Sequence, residues 1–142
     1  MKIFSTRGMM FLLMVLVGLL LSGCETMDKA KKNQAMDFRL KEYAHEVRWG
    51  AIEALPAYLE PEMVEEQEPV ATDPENIRVT DYEILNYPRS NGDGQIVQTV
   101  RINYLFRDRQ VVHTLVDAQT WEYDEEDKIW YRVNPIPAFK GK

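Results

Sequence analysis

The 142-residue chain has a single cysteine, Cys24, so it can form no disulfide within itself and packing alone must hold its fold. It contains no Gly-rich phosphate loop, no G-x-S-x-G elbow and no paired catalytic-carboxylate motif, which removes the familiar sequence signs of nucleotide binding and hydrolysis. Positive charge is scarce, with 17 Lys and Arg against 23 Asp and Glu. That balance repels nucleic acid and anionic head groups, so no nucleic-acid partner is expected. Long apolar runs are also missing. The longest, from about Met9 to Leu21, covers about 13 residues, short of the ~20 that a helix needs to cross a bilayer core.

What is present begins with the order of residues 1–23. Basic Lys2 and Arg7 come first, the apolar run second, and the small residues Ser22 and Gly23 third, which is the pattern of a secretory signal. Cys24 follows at once. Leu21-Ser22-Gly23-Cys24 resembles the lipobox of bacterial lipoproteins. The resemblance implies that the thiol receives a diacylglyceryl group, that the chain is cut before Cys24, and that the new amino group is acylated. No cofactor beyond this covalent lipid is expected. At ~0.8 kcal/mol per buried methylene, one acyl chain holds a protein only marginally, whereas two or more make the attachment durable. Lipidation would also remove the anomaly of an unpaired thiol in an exported protein.

Glu25 stands where an aspartate would retain such a lipoprotein in the inner membrane. The resemblance therefore implies a protein lipid-anchored to the outer membrane on its periplasmic face. Cutting at Cys24 removes Lys2 and Arg7 and leaves 15 − 23 = −8 charges, so attachment is expected from lipid and not from a basic patch. The chain then divides into a signal peptide over 1–23, the lipidated cysteine and a tether over 24–35, and one domain over 36–142, a size able to bury its own core. Lys29, Lys31 and Lys32 fall in the tether. Glu60, Glu62, Glu65, Glu66, Glu68, Asp73 and Glu75 form an acidic stretch read as a solvated loop.

Apolar residues at Met36, Leu40, Tyr43, Val47, Ala51, Leu55 and Leu59 recur at spacings of four and three, which keeps one stripe on one side of an α-helix. Ala44, Ile52 and Tyr58 widen the stripe. Pro56 predicts a kink or a fresh short helix over Pro56 to Leu59, and Pro61 an end. Four segments rich in Val, Ile, Tyr, Trp and Thr follow, over 77–87, 95–106, 111–123 and 128–133. Their short connections predict antiparallel neighbours. The fold class is therefore α+β: a long N-terminal amphipathic helix packed on a curved four-stranded antiparallel sheet.

If 107–110 is a hairpin loop, Phe106 faces Val111, Tyr104 faces His113, Ile102 faces Leu115 and Val100 faces Asp117. This bulkier set should look toward the helix. Leu105 with Val112, Asn103 with Thr114, and Arg101 with Val116 should look outward. The same counting across 124–127 sets Trp121 opposite Trp130. The prolines of "NPIPAFK" keep Asn134 to Lys140 extended, laid across the rim of the sheet with Phe139 tucked in.

"RWGAIEALPAYLEPE", Arg48 to Glu62, and "TWEYDEEDKIWYRVNPIPAF", Thr120 to Phe139, resemble the NTF2-like or cystatin-like α+β domains, most of all small bacterial lipoproteins of that shape. The resemblance implies a conical space between helix and sheet, with Tyr104, His113, Asp117, Trp121 and Trp130 as possible pocket residues. His113 and Asp117 both point into such a space, yet four residues along a strand is ~13 Å, too far for a shared hydrogen bond. His113 beside Tyr104 reads as a buried histidine satisfied by a neighbour. Asp117 among apolar residues needs a partner or a raised pKa, and the register offers Arg132 and Gln119. His45 and His113, with the thiol of Cys24 consumed, make no zinc site of familiar spacing. "NGDG" lacks the ligands of a calcium loop and reads as a turn.

These residues predict a non-enzymatic interaction or assembly module of the cell envelope, held at a membrane by lipid and docking an envelope protein on an outer sheet face of Val97, Leu105, Val112 and Val116. The alternative is an NTF2-like pocket that binds, or less readily transforms, a small apolar ligand.

Overall fold

The computed structural model describes residues 23–141, with side chains from Thr26 onward. The leader with Leu21 and Ser22 lies outside the described residues, as does the side chain of Cys24. Helix α1 covers Gly23–Trp49 and so runs through the stretch expected to be a tether. The described residues up to Gln34 fall in one unit and Ala35–Lys142 in a second. In the first unit, Thr26 to Lys31 stand exposed, helical on the strength of good helix formers such as Lys29, Ala30, Lys31 and Lys32.

Within the second unit α1 buries Leu40, Tyr43 and Val47, the expected stripe. It stops at Trp49, earlier than the periodicity suggests. Gly50 is a poor helix residue, and the chain breaks there. The Gly50 N–H still reaches the Glu46 carbonyl at 2.8 Å, and the Glu46 carboxylate accepts the Ala51 N–H at 2.9 Å. The stripe continues on a 3₁₀ helix, Ile52–Tyr58, which carries Pro56 inside it and buries Ile52 and Leu55. Of the kink or fresh short helix expected over Pro56 to Leu59, a fresh short helix is present, but it starts upstream at Ile52, after the break at Gly50. A short helix α2, Pro61–Val64, and a 3₁₀ turn, Pro74–Asn76, each begin on a proline, whose missing N–H costs nothing there.

Strands β1 (Ile77–Ser90), β2 (Ile96–Phe106), β3 (Val112–Asp124) and β4 (Ile129–Arg132) make one antiparallel sheet in the order β1-β2-β3-β4. β1 runs three residues past its expected end at Tyr87, and the turn that follows is closed by the Asn91 N–H on the Gln95 carbonyl at 3.1 Å. Gly92 and Gly94 hold positive φ there, of 95° and 80°. From Leu105 and Val112 onward the β2–β3 register matches hairpin counting: Tyr104 faces His113, Ile102 faces Leu115 and Val100 faces Asp117, while Val111, expected to pair with Phe106 on the inner side, lies outside β3 and is exposed. The β3–β4 register does not. The turn occupies 125–128 instead of 124–127, since the Asp124 carboxylate accepts the N–H groups of Glu126 and Asp127 at 2.8 and 2.6 Å and Lys128 takes a φ of 58°. Trp121 therefore lies opposite Arg132, and Trp130 opposite Tyr123.

Side-chain bonds from α1 reach both outer strands: Arg48 Nη1 donates to the Val79 carbonyl of β1 at 2.6 Å and Arg39 Nε to the Trp130 carbonyl of β4 at 3.0 Å. Between them Tyr43 packs edge-on against Trp121 and Tyr58, with ring centres 5.3 and 5.2 Å apart. The C-terminal tail closes the other end of the core. Ile136 and Phe139 are buried, the Phe139 N–H meets the Val70 carbonyl at 2.7 Å, and the Gln67 amide exchanges hydrogen bonds with both backbone groups of Ile136. Phe139 also meets Tyr104 edge-on at 4.9 Å.

Because a Phe-to-Ala change in a packed core costs about 3–5 kcal/mol, Phe139→Ala is expected to lower unfolding free energy by about that amount. Urea denaturation followed by tryptophan fluorescence measures it, and an unchanged midpoint would show that the tail is not part of the core.

Candidate functional site

Asp117 is the charged group that the sequence leaves most in need of explanation. It sits mid-β3 on the face turned toward α1, and its side chain is 2 % exposed. The alternation of β3 and β4 brings Arg132 to the same face with 0 % side-chain exposure. The two meet in a bidentate pair, Nη2 to Oδ1 at 2.6 Å and Nη1 to Oδ2 at 2.8 Å, a geometry that the flat guanidinium fork favours.

A guanidinium has five N–H donors, and here each has an acceptor. Besides Asp117, Nη1 donates to the Tyr43 hydroxyl at 2.9 Å, Nη2 to the Pro135 carbonyl at 2.8 Å and Nε to the Asn134 carbonyl at 3.0 Å. The carboxylate is equally engaged. Oδ2 takes a further bond from the Gln119 amide at 2.8 Å; that amide also donates to the Tyr82 hydroxyl at 3.2 Å and accepts from Gln98 at 2.6 Å and Trp121 Nε1 at 3.3 Å. Among the described residues no buried side-chain polar atom lacks a partner.

The surroundings shift the ionisable groups accordingly. Burial raises the pKa of Tyr43 well above its usual 10, although Arg132 pulls the other way. Burial likewise pushes Tyr82 up to about 12, with the bond from Gln119 opposing. Burial on its own would lower Arg132, but its bonds and charge contacts with Asp117 and Tyr43 outweigh that and leave it raised. The two phenols therefore stay neutral and the guanidinium charged across neutral pH. Each buried polar atom of the network has a partner within the protein.

Tyr104 and His113 lie apart from this network. Tyr104 is buried with its hydroxyl donating to the Lys140 carbonyl at 2.9 Å, and His113 is half-buried, stacked on the Tyr104 ring at 5.4 Å and edge-on to Phe106 at 5.5 Å. The histidine is thus held by rings and not enclosed in the core. Both line an open groove of about 660 Å³ with Arg109, Val111, Leu115, Ala138 and Lys140. Asp117, Trp121 and Trp130 are not on its walls; they are core residues, with Trp130 5.4 Å from Tyr123. The five pocket candidates therefore split into two that share a groove and three that fill the interior. Hairpin counting found Asp117, Arg132 and Gln119 together; it missed Tyr43, Tyr82 and Gln98, whose involvement depends on where α1 and β1 lie over the sheet. Among the described residues, no group of three or more His, Cys, Asp or Glu is placed to hold a metal ion, and no helix is long and apolar enough to cross a membrane.

No family model matches this chain, and no curated protein or solved structure matches it either.

Removing one partner of a buried pair strands the other charge at a cost of about 3–5 kcal/mol, so Asp117→Ala is expected to destabilise by that much. Arg132→Lys keeps the charge but loses two donors and the fork, and should cost about 1–3 kcal/mol. Denaturation midpoints of the two variants check both the sizes and their order. The raised phenol pKa values set a second expectation. A tyrosine whose pKa is higher folded than unfolded contributes fully below the unfolded value, and its contribution is lost as pH rises through the folded one. Stability should therefore fall from about pH 10 to about 12, and more shallowly in Tyr82→Phe. Denaturation midpoints measured across that window that stay flat in the parent chain would contradict the buried placement of the phenols.

Proposed function

We propose that this chain is a lipid-anchored lipoprotein of the bacterial cell envelope, attached through Cys24 to the periplasmic face of the outer membrane. Its Ala35–Lys142 body serves as a non-enzymatic interaction or assembly module in the manner of NTF2-like domains that have lost their open pocket. The observation that carries the module reading is the closed interior. Where an NTF2-like domain would keep a space between helix and sheet, Tyr43, Trp121 and the Asp117–Arg132 pair fill it, with every polar group engaged. The outer sheet face is the complement: Val112 and Val116 are 62 % and 57 % exposed, with half-buried Leu105 opposite Val112 and half-buried Val97 further along, opposite Thr120. The anchor reading rests on the order basic start, short apolar run, Leu21-Ser22-Gly23-Cys24.

The second reading, a site for a small apolar ligand, is favoured by the groove at Tyr104, His113 and Leu115, which is large enough for a drug-sized molecule.

Intact-mass measurement of the chain recovered from membranes is expected to find a chain beginning at Cys24 and carrying acyl groups. A bare thiol, or a retained leader, would overturn the anchor. Crosslinking in intact cells through a photoreactive residue at Val97 should then trap an envelope protein. Binding of a small apolar molecule that is lost in His113→Ala, with nothing trapped at Val97, would favour the groove instead.

A further inference from the structure

The two long edges of the sheet differ in how far they resist another strand. β1, at one edge, is interrupted by register shifts at Val79/Asp81, Ile84/Asn86 and Asn86/Arg89 and carries Pro88. Bulges and proline are the devices by which edges avoid pairing with other chains. At the opposite edge β4 pairs only with Trp121 to Asp124, and its own outer side is met by Leu59, with the Glu60 N–H on the Arg132 carbonyl at 3.0 Å. β3 outlasts β4 by nine residues. Asn134 caps the first of these, its side chain accepting the Thr120 N–H at 2.8 Å and donating to the Ala118 carbonyl at 2.7 Å. Among the described residues no strand pairs with Val112 to Asp117 on that side.

The alternation of an antiparallel ladder fixes which backbone groups face the gap. The Thr120 N–H and C=O and the Ala118 C=O all point toward β4 and Asn134. The β2–β3 register is unbroken from Val112 to Trp121, so the N–H and C=O groups of Val116, Thr114 and Val112 point the same way, into the open. This edge has no bulge and no proline, and its "VHTLV" has neither an acid nor a Lys or Arg, in a chain that is 28 % charged. Its outward side chains are β-branched and exposed.

We propose that Val112–Val116 is the pairing edge for β3 of a second copy of this chain, joined antiparallel about a two-fold axis at Thr114. The segment is self-complementary in that register. Val112 lies opposite Val116 of the second copy, Thr114 opposite its own counterpart, and His113 opposite Leu115, so exposed apolar side chains meet each other and no like charges face. The backbone groups of residues 112, 114 and 116 on each copy satisfy one another, as in any hydrogen-bonded antiparallel pair. Two sheets become one, and the hairpin tip of each copy, at 107–110, comes to lie beside Asn134 of the other. A committed edge of this kind gives the interaction module a first partner, yet it depends only on the Ala35–Lys142 body and not on the anchor.

The test is disulfide trapping in the full chain, dispersed in detergent, with the parent chain as the control for Cys24. A hydrogen-bonded antiparallel pair places its Cα atoms about 5.5 Å apart, inside the ~4.4–6.8 Å span of a disulfide. Thr114→Cys is therefore expected to convert most of the chain to a covalent dimer under mild oxidation, and Asn86→Cys on the bulged edge to leave it without a crosslink. Thr114→Pro deletes an N–H that faces the gap and leaves the β2 ladder whole, so it should return the parent's two-copy species to one copy by analytical ultracentrifugation. The proposal is overturned if Thr114→Cys stays monomeric, if Asn86→Cys crosslinks as readily, or if a photoreactive residue at 114 captures only a different protein. The mass of the residue at position 24 tests the anchor separately.

Discussion

The Asp117–Arg132 pair is the interaction on which the remaining structure is arranged. Each ion buried in this interior carries a desolvation penalty of several kcal/mol, which mutual attraction offsets only when the geometry is good and the leftover donors are satisfied. Here the leftover donors are what bind the fold together. Arg132 belongs to β4, Asp117 to β3, the Tyr43 hydroxyl to α1, and the carbonyls of Asn134 and Pro135 to the tail. One guanidinium thus requires four segments to be in their native places at once. A hydrophobic replacement would tolerate sliding of any one of them; the ion pair does not. The pair thereby ties β3, β4, α1 and the tail to one geometry.

The same closure separates this body from an open-pocket domain. The aromatic residues that looked like pocket walls have partners inside the protein: Trp121 with Tyr43 and Gln119, Trp130 with Tyr123, Tyr104 with Phe139 and the Lys140 backbone. Surface of interest is displaced outward as a result, to a groove beside the tail and to the face and free edge of β3. The acidic stretch over 60–75 remains on the exposed side of the loop that the tail clasps at Gln67 and Val70, where solvation of its carboxylates is not disturbed.

Much of the fold was legible because short-range rules governed it. The helix stripe of Leu40, Tyr43 and Val47 and the β2–β3 register followed from periods of 3.6 and 2, and the buried partners of Asp117 followed from counting back from a hairpin. The misses came from local competition. Gly50 ended α1 before Pro56 could, and Asp124, by capping two N–H groups, moved the last turn one residue along and exchanged the partner of Trp121. Neither outcome is visible from apolar periodicity, because one rests on a single glycine's poor helix propensity and the other on which backbone N–H groups the Asp124 carboxylate takes.

By itself, then, the order of residues determined the class of fold, the faces of β2 and β3 that turn inward, and the position of the lone cysteine behind a short apolar run. Those are one-dimensional properties, written in spacing and composition. Tertiary structure alone decided that Tyr43, Tyr82 and Gln98 complete the network around Asp117, that the candidate pocket is filled, and that β3 keeps a straight unpaired edge while β1 does not. Such outcomes depend on how far one segment reaches across another, and no spacing along a chain encodes a distance between segments that meet only after folding.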